Sequence, residues 1–120
     1  IQIERPVAVE MLTGDQKQAK LITEDSWMHT RITLYLATQL LSQGRWALDH
    51  ARRIDVPSLV MYGEDDALID RSACEHLAIR AGNRVTLRQW QGLRHDLLHD
   101  HDSEEVCRVV SAWLADRFER

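Results

Sequence analysis

Nowhere in this chain does an apolar run approach the roughly 20 residues that a membrane span requires. No repeat or low-complexity tract interrupts its 120 residues. Cysteine is scarce: Cys74 and Cys107 are too few for a disulfide scaffold. Both fall in helical patterns, where a reduced, buried thiol is the expectation. Positive charge is not concentrated either. Fifteen Lys and Arg are scattered among 19 acidic residues, and Arg52–Arg53 is the only adjacent basic pair. The net charge of −4 therefore carries no patch of the kind that binds nucleic acid. An initiator methionine is missing too. Ile1 opens the chain without the charged-then-apolar pattern of a signal peptide, so a processed, engineered or partial form of something longer is expected. The compartment stays open, with a cytoplasmic one slightly favoured.

What is present suffices for one domain's worth of core, with 44% hydrophobic residues. Residues 1–20 have no clear period, and Pro6 and Gly14 break them. From Asp25 or Ser26, which can cap a helix, Ile32, Tyr35, Leu36 and Leu40 recur at helical spacing as far as a stop at Gly44. A second short helix carrying Trp46, Leu48 and Ile54 ends before Pro57. Ser58-Leu59-Val60-Met61-Tyr62, followed by Gly63, is short and apolar enough for a fully buried strand of a parallel sheet. Arg71 to Ala81 reads as a helix closed by Gly82-Asn83. Arg84-Val85-Thr86-Leu87-Arg88 alternates polar and apolar, as a strand near a sheet edge does. Asp102 and Glu105 resemble a capping box ahead of a last helix, whose apolar face includes Val106, Val109, Val110, Trp113 and Leu114. Strands separated by helices imply right-handed crossovers and parallel pairing. Two strands are too few for such a sheet, which should continue in sequence outside this chain.

In open α/β sheets, active sites form beyond the carboxyl ends of the strands. Two polar clusters occupy those places: Gly63-Glu64-Asp65-Asp66 after the first strand, and Gly92-Leu93-Arg94-His95-Asp96 after the second. An acid after one strand and a histidine after the next is the second half of a Ser…Asp…His order. The acid would fix the imidazole tautomer and stabilise the imidazolium formed when the other nitrogen takes a proton. Asp65 competes for the acid role; Asp66, three residues beyond the strand-end Gly63, is preferred.

These segments resemble one family, the α/β-hydrolases of the monoacylglycerol lipase and lysophospholipase group, which are serine aminopeptidase-like. Ile54 to Asp66 is similar to its I-x-V-P-x-L-(apolar)3-G-x-x-D, in which the last Asp is the triad acid. Asp66-Ala67-Leu68-Ile69-Asp70 matches its D-x-L-x-D. Gly92 to Asp100 is similar to G-x-x-H-x-L-x-x-E, whose His is the triad base. Leu12-Thr13-Gly14-Asp15 and Asp25-Ser26-Trp27-Met28-His29 resemble its lid, although Ser26 stands where the family usually has proline. The resemblance implies the C-terminal half of an α/β-hydrolase fold. Residues 1–45 would form a lid-like helical segment, and residues 46–120 the C-terminal part of the core.

The implied catalytic residues are Asp66 and His95, with Trp27 and Ile69 as candidates for an acyl pocket. The implied substrate is an ester with an apolar acyl chain, and no cofactor is implied. The family's nucleophile motif, G-x-S-x-G, begins at none of the five glycines, and the oxyanion-hole segment is absent as well. This chain alone is therefore expected to be inactive, its partner being the missing N-terminal half or a second copy. A non-catalytic remnant of the same fold, pairing through its open sheet edge, is the alternative. Bland readings stand beside these. His95, His99 and His101 with Asp96, Asp100 and Asp102 could be a metal cluster, although no metal is expected. The tryptophans read most economically as packing, with Trp113 in the core. Both cysteines should sit away from the site.

Overall fold

The computed structural model describes residues 1–4, 7–29 and 31–118. In chain order the elements are β1 (Gln2–Glu4), α1 (Val9–Leu12), α2 (Gln16–Glu24), β2 (Arg31–Thr33), α3 (Leu34–Asp49), β3 (Ser58–Gly63), α4 (Arg71–Ala81), β4 (Val85–Trp90) and α5 (Ser103–Phe118). Pro6 lies outside the described residues.

The second half follows the expected order. β3 and β4 pair in parallel, from Ser58 opposite Val85 to Gly63 opposite Trp90. Asp70 caps α4 by accepting from the Ser72 backbone at 2.9 Å and its hydroxyl at 2.6 Å, so the second Asp of the D-x-L-x-D motif is a helix cap. The Ser72 hydroxyl, the chief cause, also holds the Asp70 carboxyl below its ordinary value. Gly82, at φ 64°, ends α4 in a conformation that suits glycine. Side chains alternate across the strands. Tyr62 reaches Glu75 of α4, whereas Met61 packs on the opposite face against the cluster of Trp90, Leu93, Leu97 and Val106. Helices α4 and α5 thus cover the two faces of the pair.

The first half departs from expectation. Asp25 does not start a helix. It ends α2, and its carboxylate accepts from the Trp27 N–H at 2.8 Å, the local turn that short acidic side chains favour. The cap of α2 is Asp15, which accepts from Lys17 and Gln18. The long helix begins only at Leu34, capped by the Thr33 hydroxyl. β1 and β2 form an antiparallel ribbon ahead of it. Nor does Gly44 stop α3, because a helix interior tolerates a glycine at modest cost. The helix runs on to Asp49, where His50 turns its Nδ1–H to the Trp46 carbonyl at 2.8 Å and stacks on the Trp46 ring. The boundary expected at residue 45 therefore falls inside a helix.

Burial departs as well. Ser58 to Met61 are only half-buried, and Tyr35, Leu36, Leu40, Leu41 and Trp46 of α3 are exposed. A strand with one neighbour and a helix with one packed side cannot bury such surface. Trp113 is half-buried, donating its indole N–H to Thr86. Cys74 is half-buried and Cys107 exposed, both free thiols. The Cα radius of gyration, 16.1 Å, exceeds the roughly 14 Å of a compact domain this long.

Gly63 explains how the two site loops meet. A Cβ there would overlap the backbone carbonyls of Leu93 and Arg94, which lie directly over the end of β3. Gly63→Ala should therefore destabilise the chain by about 1–3 kcal/mol. Gly44→Ala, where a Cβ meets nothing within 4 Å, should instead stabilise it by up to about 1 kcal/mol. Urea unfolding midpoints shifting in opposite directions is the expected result.

Candidate active site

Immediately past β3 the chain turns back, and the Asp66 N–H donates to the Gly63 carbonyl at 3.2 Å. The turn brings the Asp66 carboxylate inward, its side chain only 3% exposed. One oxygen accepts the Leu68 backbone N–H at 2.8 Å; the other lies 2.8 Å from His95 Nδ1. Across that contact the imidazole must donate, so its proton sits on Nδ1 and Nε2 is left for chemistry. The ring remains 42% exposed, which leaves its working nitrogen open. A buried acid behind an open base is the arrangement that general-base chemistry needs. Asp65 is exposed and gives its backbone N–H to the Leu93 carbonyl.

The histidine loop is held by a residue that sequence reasoning missed. Asp100, 2% exposed, accepts backbone N–H groups from Arg94 at 2.8 Å and from Gly14 and His101 at 2.9 Å. Burial alone would raise its pKa, but these three N–H donors outweigh burial and hold the carboxyl below the ordinary carboxylate value. Around it, the Thr13 hydroxyl donates to the His99 carbonyl and the Asp96 N–H to Leu12, while the Arg94 guanidinium donates to the carbonyls of Glu10 and Thr13. The loop carrying His95 is thereby stapled to the junction of α1 and α2. Asp100 occupies the last position of the G-x-x-H-x-L-x-x-E pattern, and Thr13 and Gly14 lie in the L-T-G-D segment. Both motifs were visible; their contact was not.

A groove of about 560 Å³ opens beside His95. Its apolar wall is Leu12, Leu21, Ile22, Met28 and Leu68, and its polar wall is Gln18, Asp25, His95, Asp96 and His99. The lining includes Met28 and Leu68 rather than the expected Trp27 and Ile69, the immediate neighbours of each. Trp27 is 89% exposed, and Ile69 is half-buried outside the groove. A larger hollow of about 760 Å³ lies between α3 and α4, away from this chemistry.

The three imidazoles of the loop do not converge. His95 meets Asp66, His99 meets Asp96, and His101 lies 3.4 Å from Asp100. Among the described residues no group of three potential ligands comes together. Cys74 is closer to the site than expected, within electrostatic range of Asp66. Burial first, then the carboxylates of Asp66, Asp70 and Glu75, push its thiol up, which opposes thiolate formation.

This arrangement is the C-terminal half of an α/β-hydrolase, of the monoacylglycerol lipase type in its fold. The model of the family described as serine aminopeptidase, S33, matches residues 1–102, and the chain belongs to that family. It is 23% identical over 98% of its length to an uncharacterized abhydrolase domain-containing protein of Dictyostelium discoideum, covering 13% of that protein. It is 22% identical over 94% of its length to phospholipase YtpA of Bacillus subtilis, covering 44% of it. Among solved structures, the monoacylglycerol lipase of Paleococcus ferrophilus superposes with a TM-score of 0.91 at 22% identity, over 97% of this chain and 46% of that one. A soluble variant of monoglyceride lipase from Saccharomyces cerevisiae gives 0.84 at 16% identity, over 97% and 44%. The chain thus spans less than half the length of these relatives.

Asp100→Ala would remove a buried charged acceptor from three part-buried N–H groups, each such bond being worth about 1.5–3 kcal/mol, so a loss of several kcal/mol is expected in urea unfolding. The acid dependence carries a definite sign. Because the folded pKa is depressed, Asp100 contributes fully above the ordinary carboxylate value and loses that contribution as pH falls through the lower folded value. Asp100→Asn should flatten the stability loss below about pH 4.

Proposed function

We propose that this chain is the acid-and-base half of a carboxylic-ester hydrolase, with Asp66 and His95 as two members of a catalytic triad. The observation carrying this reading is the 2.8 Å contact between a buried Asp66 carboxylate and His95 Nδ1, beside an open groove. A serine supplied by sequence outside this chain would attack the ester carbonyl. His95 Nε2 takes the serine proton as the oxygen–carbon bond forms, and passes it to the departing alcohol as the ester C–O bond breaks. Water then repeats the exchange: His95 takes its proton as the water oxygen bonds to the acyl carbon, and returns it to the serine oxygen as the acyl–serine bond breaks and the acid leaves. Asp66 holds the ring in the Nδ1–H tautomer and offsets the charge of the imidazolium.

The apolar wall of the groove suits the acyl chain of a lipid ester, and two relatives named as lipases and one named as a phospholipase support that substrate class. The chemistry needs no cofactor. The serine-bearing partner would cover the free edge of β3 and the exposed apolar residues of α3, because these are the surfaces that the fold leaves open. No described helix is long and apolar enough to cross a membrane.

The missing nucleophile motif and the uncovered α3 also fit a second reading, a non-catalytic remnant that pairs with itself through the β3 edge. A fluorophosphonate label separates the two. The hydrolase reading expects it to mark a serine on the partner or on the natural-length protein, and never this chain alone. In that natural-length protein, Asp66→Asn and His95→Ala should each lower ester turnover by at least about a thousandfold, with the unfolding midpoint little changed. Near-normal turnover in either variant would end the assignment.

A further inference from the structure

The groove contains a second His–carboxylate pair that the proposed triad does not use. His99 Nδ1 lies 3.0 and 2.9 Å from the two oxygens of Asp96, and both residues line the groove beside His95. The contact needs an N–H on Nδ1, shared between the two oxygens, so in the Nδ1–H tautomer Nε2 is a hydrogen-bond acceptor. No described residue meets that nitrogen. The other charged groups of the lining are carboxylates, Asp25 and Asp96, and the lining contains no lysine or arginine. Arg94, the nearest candidate in the sequence, spends its guanidinium on the carbonyls of Glu10 and Thr13.

Chemistry fixes which part of an ester would meet this wall. His95 Nε2 must reach the departing alcohol to return its proton, so the alcohol half lies nearest the residues that flank His95. A wall of acceptors and carboxylates without cations favours hydroxyl groups and repels anions. We infer that the Asp96–His99 pair is a specificity determinant that selects esters whose alcohol half is uncharged and bears a free hydroxyl, with His99 Nε2 accepting from that hydroxyl. This rests on the ester-hydrolase reading and narrows it, since it disfavours head groups that end in a bare phosphate.

Binding of uncleavable ethers tests it without a serine. The full chain is titrated with 1-O-octylglycerol, its 2,3-di-O-methyl ether and octyl phosphate, by calorimetry and on the His99 ring signals in NMR. One neutral hydrogen bond corresponds to a preference of about three- to tenfold for the free glycerol ether over the capped one. Octyl phosphate should bind more weakly than the free glycerol ether. His99→Ala should bring the free-to-capped ratio to about one, and His99→Gln, which keeps an acceptor, should restore part of it. No measurable binding of the free ether, a ratio near one in the unaltered chain, a ratio preserved in His99→Ala, or tighter binding of the phosphate would each overturn the inference. Those outcomes leave the turnover tests of Asp66 and His95 untouched, so the two readings fail separately.

Discussion

The carboxylate of Asp100 holds the site in place. It is buried, yet it keeps its charge below the ordinary titration range because three backbone N–H groups point at it. Those N–H groups belong to Arg94, Gly14 and His101, which tie the loop before His95, the loop after it and the start of α2 to one point. Gly63 sets the other limit by letting the carbonyls of Leu93 and Arg94 lie on the end of β3. Between these constraints His95 has little choice of position. Its 2.8 Å contact with Asp66 follows from the scaffold; an exposed ring held by one polar contact would not place itself.

That view explains what could be read in the sequence. β3, α4, β4 and α5 were legible because their periods are local and their caps, Asp70 and Gly82, act within a few residues. The meeting of Asp66 and His95 was legible because each follows its own strand end. The helices of the first half were harder to place. Asp25 satisfies a turn as readily as it caps a helix, and a lone Gly44 does not outweigh the rest of α3. Asp100 was hidden for a different reason. Its decisive partners include Gly14 and Thr13, more than eighty positions away, and no local pattern encodes such a pairing. Read by itself, the stretch from His95 to Asp102 is a loop crowded with His and Asp, and nothing in its spacing singles out Asp100.

Burial falls short of expectation because part of the apolar surface has no cover within this chain. The apolar spacing of α3 and the composition of β3 are those of fully covered elements, and the structure leaves them open. Periodicity reports the surface a segment is suited to bury, not the surface that one chain supplies. The mismatch agrees with a chain spanning less than half of its relatives. The described contacts that hold Asp66, His95 and Asp100 are made by residues of this chain. Asp66 and His95 form a local unit, and under the proposed reading what it lacks is a serine rather than a shape.

Three histidines of the loop each pair with an aspartate, Asp66 from the turn after β3 and Asp96 and Asp100 from the loop itself, and their surroundings differ. Asp66 is buried while His95 is open, the arrangement that a general base requires. Asp96 and His99 are both partly open, so neither is held strongly enough to act as the base, but together they can meet a polar group of a ligand. Asp100 is fully enclosed and satisfied by backbone, which leaves its 3.4 Å contact with the exposed His101 as a minor addition. Under the proposed reading, identical side chains thus serve proton transfer, recognition and architecture according to which partner is removed from water. A carboxylate's role here follows from where its lone pairs are spent. Asp100 spends most of its own on the backbone, and Asp66 leaves one oxygen for a ring that faces the groove.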